Sequence, residues 1–236
     1  MTKNTTTAAD TAPAAADGST RTLLICGIIA GPLYIVVVAV QMLTRSGFDI
    51  GRYPASILSN GDLGWIQIGN FLVSGLLFVA CAIGLHRVLG PASGWGGTWG
   101  PRLIGILGAG MTAGAVFSAD PVDGFPPGTP LGAPTSISWH GLMHVLVAGV
   151  AFIALIAACF VFARRFAAAR RYGWAAFGRV TGALFLATWI SIFVLPGARP
   201  ANVAFAIAIA LALTWTSLLA LHHLTRRRRL RAVRSK

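Results

Sequence analysis

Six long apolar runs alternate with polar connections along this chain, at residues 23–43, 66–85, 103–118, 140–163, 175–195 and 201–221. A helix needs about 20 apolar residues to cross the hydrocarbon of a bilayer, and the runs approach or reach that length. The pattern predicts an all-α fold, a bundle of six transmembrane helices. The third run is the shortest, and Pro101 before it and Asp120-Pro121 after it mark its expected limits. Pro32 lies inside the first run, where a membrane helix tolerates a kink. Residues 1–20 are rich in Thr, Ala and Asp without a hydrophobic period, and predict a disordered tail. The first run exceeds the roughly 7–15 residues of a signal-peptide core, so it reads as a retained helix. The expected organisation is a tail over 1–20, a membrane domain over 21–222 and a basic tail over 223–236.

Composition sharpens this. The chain is 56% hydrophobic and 11% charged, against about 25% charged in an average soluble domain. A soluble fold of 236 residues could not hide that much apolar surface.

Charge then orients the bundle. The 19 Lys and Arg face only six Asp and no Glu. With the N-terminus in the cytoplasm, 16 basic residues fall on the inner side and three, Arg45, Arg52 and Arg199, on the outer side. Cytoplasmic loops carry the excess of Lys and Arg, so both termini are expected inside. The tail from Arg226 through Arg231 is expected to attract anionic lipids, and membrane lipids are the expected surroundings. Because the cations sit between apolar runs, no nucleic acid is expected as partner. Trp65 and Trp139 fall at outer helix ends, and Trp174 and Trp215 toward inner ends, matching the headgroup preference of indole.

The six runs also read as three hairpins. The odd runs each open with an arginine (Arg21, Arg102, Arg179) and carry the glycine pairs Gly27/Gly31, Gly110/Gly114 and Gly178/Gly182. Four-residue spacing puts both glycines of a pair on one face, so neighbouring backbones can approach closely.

Candidate chemistry is sparse. No Asp, Glu or Lys lies at the middle of a run, which argues against an ion-coupled mechanism. A carrier would have to use neutral groups such as Gln41, Asn70, Ser74, Thr112, Thr188 and Ser191. Cys26, Cys81 and Cys159 are isolated in apolar runs and read as packing residues.

Polar density gathers on the outer face, with Asp49, Asp62, Asp120 and Asp123 in two long connections. Next comes Ser138-Trp-His140-Gly-Leu-Met-His144, in which His140 and His144 share a helix face. Ser136 or Ser138 is placed to cap that helix. His140, His144 and Asp120 form a candidate metal set for a divalent ion such as zinc. Asp62, Trp65, Asn70, Asp120 and His140 form a candidate ligand set. Haem fits poorly, because the two histidines share one face. Ser56 and Ser59 lack the GxSxG elbow of a hydrolase.

The stretch Ser56-Ile-Leu-Ser-Asn-Gly-Asp-Leu-Gly-Trp65, the span ending Ala82-Ile-Gly-Leu-His-Arg87, the outer Asp120-Pro and Phe125-Pro, and His140-Gly-Leu-Met-His144 follow in order. Together they resemble the bacterial six-helix membrane proteins grouped as domain of unknown function 998, over roughly residues 21–222. The resemblance implies a six-helix bundle in a bacterial inner membrane and supplies no activity. Three functional classes stay open: a protein that binds or moves a small amphiphile or lipid, or partners another membrane component; a membrane-embedded metal-assisted hydrolase with its site on the outer face; and a small carrier or channel.

Overall fold

The computed structural model describes residues 11–90, 94–132 and 136–234. Six helices follow in order: α1 (Thr11–Thr44), α2 (Gly64–Leu89), α3 (Gly94–Val116), α4 (Trp139–Ala168), α5 (Tyr172–Val194) and α6 (Arg199–Arg234). A short 3-10 turn, Ala55–Ser59, lies between α1 and α2. The described residues hold no strand, and their sole β-type pairing is an isolated bridge between Val122 and Phe125.

Five helices are long and apolar enough to cross a membrane: α1 over Gly18–Thr44, then α2, α4, α5 and α6 over Arg199–Arg226. Helix α3 is long enough, but its first half carries Gly94, Gly96, Gly97, Thr98, Gly100, Pro101 and Arg102, which dilute its apolar character.

Three boundaries differ from the sequence expectation. Helix α1 begins at Thr11, so helical structure covers half of the stretch expected to be disordered; residues 1–10 lie outside the described part. Helix α3 begins at Gly94, and Pro101 sits inside it instead of marking its start. Helix α6 runs unbroken past residue 222 to Arg234. Helices α1 and α6 continue through polar sequence because backbone hydrogen bonds propagate from a formed helix at little extra cost, whereas the Gly-rich start of α3 is held by packing against α2 and α4.

Each helix packs against its neighbours in the chain, and α6 returns to α1, so the six close into a ring. Small residues set the close crossings. At the α2–α3 crossing, a Cβ on Gly108 would lie 2.6 Å from the Gly75 carbonyl oxygen, and one on Gly75 would lie 2.7 Å from that of Gly108. The three predicted glycine pairs also sit at helix interfaces. Gly110 faces Ala151 of α4, and Gly178 and Gly182 face Cys159. Gly27 lies against Cys81 of α2 and Ala220 of α6, and Gly31 faces α6, where the Ser217 hydroxyl accepts from Gly31 N–H at 3.2 Å and donates to the Gly27 carbonyl at 2.9 Å. That hydroxyl enters the helical ladder just ahead of Pro32, whose ring nitrogen has no proton to give.

Candidate functional site

The connections at one end of the ring form an ordered cap. Phe48, Tyr53 and Phe125 make a three-ring cluster with centroids 5.4–5.8 Å apart. Tyr53 and Phe125 are almost fully buried there. Arg45 lies over the Phe125 ring and donates to the carbonyls of Leu58, at 3.1 Å, and Asn60, at 2.6 Å. Burial pulls the Arg45 pKa down from its ordinary value, and the Asp62 charge opposes that shift.

Two ion pairs tie the cap to its surroundings. Arg52 meets Asp123 at 2.7 Å, joining the α1–α2 connection to the α3–α4 connection, and the Tyr53 hydroxyl donates to the Asp123 carbonyl at 2.7 Å. Arg199 at the start of α6 pairs with Asp49, and Asn202 donates to the Gly51 carbonyl at 3.0 Å. The Asp49 carboxyl is held below the usual carboxylate range by the Gly51 N–H and then by Arg199. Asp123 is lowered likewise by the Gly132 N–H and then by Arg52.

Beneath the cap lies a partly open cavity of about 270 Å³. All six helices contribute to its wall, through Tyr34, Phe71, Met111, His144, Phe185 and Phe205 among others, and Pro54 with Ala55 and Ser56 of the 3-10 turn roof it. Its lining includes no Asp, Glu, Lys or Arg. Phe71 stands between two polar groups, with ring centroids 5.7 Å from Tyr34 and 6.2 Å from His144.

His144 Nδ1 lies 2.8 Å from the Phe117 carbonyl oxygen. A carbonyl only accepts, so Nδ1 must carry a proton, and Nε2 is the nitrogen left for a ligand. Behind Tyr34 runs a buried amide network between α1 and α2. Gln41 donates to Gln67 at 2.8 Å, Gln67 donates to the Tyr34 hydroxyl at 3.5 Å, and Asn70 donates to Gln67 and to the Tyr34 carbonyl at 3.3 Å.

The residues singled out in the sequence fall in different places. Asp120 serves the start of α4: its carboxylate accepts from Ser138 N–H at 2.8 Å and from the Ser138 hydroxyl. Ser138 is the cap expected there, accepting from Gly141 N–H at 3.0 Å. His140 is exposed and lies against the Trp139 ring, 3.7 Å between centroids. Asp62 and Trp65 are exposed, and Asn70 is buried in the amide network. Of the residues in the candidate metal and ligand sets, His144 is the one in the described cavity wall.

The candidate metal set of His140, His144 and Asp120 is therefore not assembled. Both Asp120 oxygens serve Ser138, and no group of three or more His, Cys, Asp or Glu among the described residues is arranged to hold a metal ion. The cavity residues that sequence reasoning missed, Tyr34, Phe71, Met111, Phe152, Phe185 and Trp189, look like ordinary apolar positions in a membrane helix. The one available signal was Tyr34, a hydroxyl in the middle of an apolar run.

No curated protein and no solved structure matches the chain. A family model does match, over residues 28–222, and its span takes in the whole cap and every helix lining the cavity. The chain belongs to the family described as protein of unknown function DUF998.

Proposed function

We propose that this protein holds an uncharged amphiphile drawn from the bilayer, with the apolar part of the ligand in the central cavity. The observation that carries the reading is the cavity itself: about 270 Å³, apolar, closed over by an ordered cap and free of charged lining groups. An apolar cavity of about 150 Å³ stays dry and accepts benzene-sized guests. The larger volume here suits a segment of one hydrocarbon chain or a prenyl unit, and is too small for a whole diacyl lipid.

The route in is lateral. Val145 of α4 and Phe193 of α5 line the cavity, yet they are 58% and 66% exposed on the outer side of the bundle. The gap between α4 and α5 thus opens toward lipid rather than toward water. At the polar end are the Tyr34 hydroxyl, Ser56 and His144. A hydroxyl head can donate to His144 Nε2 and accept from the Tyr34 and Ser56 hydroxyls, whereas a carbonyl head has no proton for His144 and a charged head would meet no countercharge there.

In this reading α3 crosses the membrane as the sixth span, both termini lie in the cytoplasm, and the membrane is a bacterial inner membrane. The 16-to-3 distribution of basic residues supports the orientation.

The test uses a photoreactive long-chain alcohol bearing a diazirine, added to the purified full chain in micelles. Cross-links are expected at 145–152 and 185–193. Ala148→Phe places a phenyl ring in the cavity and should abolish most of the labelling, while Val150→Phe, on an exposed position of the same helix, should not. Labelling spread evenly over all six helices, or unchanged in Ala148→Phe, refutes the proposal.

A further inference from the structure

The end of the ring opposite the cap gathers cations around an aromatic shelf. Helix α4 brings Arg165, the α4–α5 connection brings Arg171, and α6 brings His222, His223 and Arg226. Arg171 Nη1 donates to His222 Nε2 at 2.8 Å. The His222 ring lies edge-on to Trp174 and Phe166, with centroids 4.6 Å and 5.3 Å away. Arg165, Arg171 and Arg226 are all within electrostatic reach of His223.

The four aspartates whose side chains are described, Asp49, Asp62, Asp120 and Asp123, all belong to the cap end. The ion pairs found among the described residues are the two at the cap. Beside the cluster, the buried His223 ring is 4% exposed and its Nε2 has no hydrogen-bond partner.

The geometry points to a binding site for a phosphate ester anion at this end, built by Arg171, Arg226 and His222 and carried at headgroup depth by Trp174. Like charges held together repel, and an oxyanion between them removes that repulsion. Arg171 spends one N–H on His222 and keeps the rest of a planar fork that suits phosphate oxygens. Anchoring Arg171 on a histidine, not on a carboxylate, keeps its positive charge uncompensated. Trp174 beside the cluster fits the interface between headgroups and chains, where indole collects. The phosphate of an anionic phospholipid meets both conditions, and inorganic phosphate shares the charge without the chain. This site is separate from the cavity ligand, which lies at the other end of the bundle and is uncharged.

The experiment equilibrates the purified full chain with micelles holding equal phosphatidylglycerol and phosphatidylcholine, then measures retained lipid by mass spectrometry. Wild-type protein should retain phosphatidylglycerol preferentially. Arg171→Gln and Arg226→Gln should each lower that preference roughly tenfold. Arg164→Gln, which removes an equal charge from an exposed neighbouring position, should leave it within about twofold. Equal losses in all three variants, or no preference in the wild type, overturn the site in favour of diffuse attraction. Inorganic phosphate is then titrated in as competitor: displacement at millimolar concentration assigns the phosphate group alone, and resistance assigns the lipid. Two arginine variants on different elements, the α4–α5 connection and α6, keep the result readable if one fails to fold.

Discussion

Asp120, Ser138 and Gly141 make one small machine, and it yields a prediction whose sign changes with background. Asp120 accepts two hydrogen bonds from Ser138, and the Ser138 hydroxyl accepts one from Gly141 N–H. The carboxylate occupies the space that a side chain on residue 141 would need, since a Cβ there would collide with it. Asp120→Ala removes two of the three bonds. Hydrogen bonds to charged groups contribute about 1.5–3 kcal/mol when buried, and an N-cap contributes about 1 kcal/mol. Ser138 is exposed, so a value near 1 kcal/mol per bond applies, or about 2 kcal/mol in all. For a chain of this size that lowers the melting midpoint by roughly 4–8 °C.

Ser138→Ala also removes two bonds, and the double variant removes three. The double should therefore cost about 1 kcal/mol less than the sum of the singles. Gly141→Ala should destabilise the wild type by expelling the carboxylate. In the Asp120→Ala background the obstacle is gone, and the same change should stabilise slightly, since alanine gains up to about 1 kcal/mol over glycine in a helix. Thermal unfolding in a single detergent, followed by tryptophan fluorescence, reads all five variants. An equal cost of Gly141→Ala in both backgrounds would refute the argument.

Gly108→Ala should lower the folded yield, at a cost of about 1–3 kcal/mol, because its Cβ would meet the Gly75 carbonyl oxygen at 2.6 Å; size-exclusion chromatography and thermal unfolding check this. Tyr34→Phe leaves the buried Gln67 amide without its hydroxyl partner and should cost about 1–3 kcal/mol, readable by the same melt. The cap should loosen in acid. The pKa values of Asp49 and Asp123 are depressed in the folded protein, so their contribution is fully present above an unfolded carboxyl value of about 3.9 and is lost as pH falls through the folded values. Limited pepsin digestion should cut near Phe48 and Phe125 faster at pH 2 than at pH 4, with a smaller difference near Phe125 in Arg52→Gln, which removes one of the two groups that hold Asp123 down, and elsewhere without this pH step.

Much of the fold was legible in the chain. Runs of apolar residues have no other stable home than a bilayer or a core, so their number gave the helices, and glycines at four-residue spacing gave faces that do sit at close interfaces. Ser138 as the cap before Trp139 was legible too, because a capping hydroxyl is a local device. The helix ends were less legible: α3 starts at Gly94 and carries Pro101 inside, since packing against α2 and α4 sustains a helix that composition alone disfavours.

The site was not legible, and the reason is physical. Spacing along one helix tells which residues share a face, and so grouped His140 with His144. It does not tell what that face meets. Only the closure of α6 onto α1 made a ring with a hollow centre, turned His144 into its wall, left His140 outside against Trp139 and committed Asp120 to the start of α4. A cavity is a property of several helices at once, and Tyr34, Phe71, Phe185 and Phe205 reach it from four of them. Hydropathy, a local sum, determined that these helices form. Which of their apolar residues surround empty space was decided by long-range packing, where Gly75 and Gly108 set how near α2 comes to α3, and Gly31 how near α1 comes to α6.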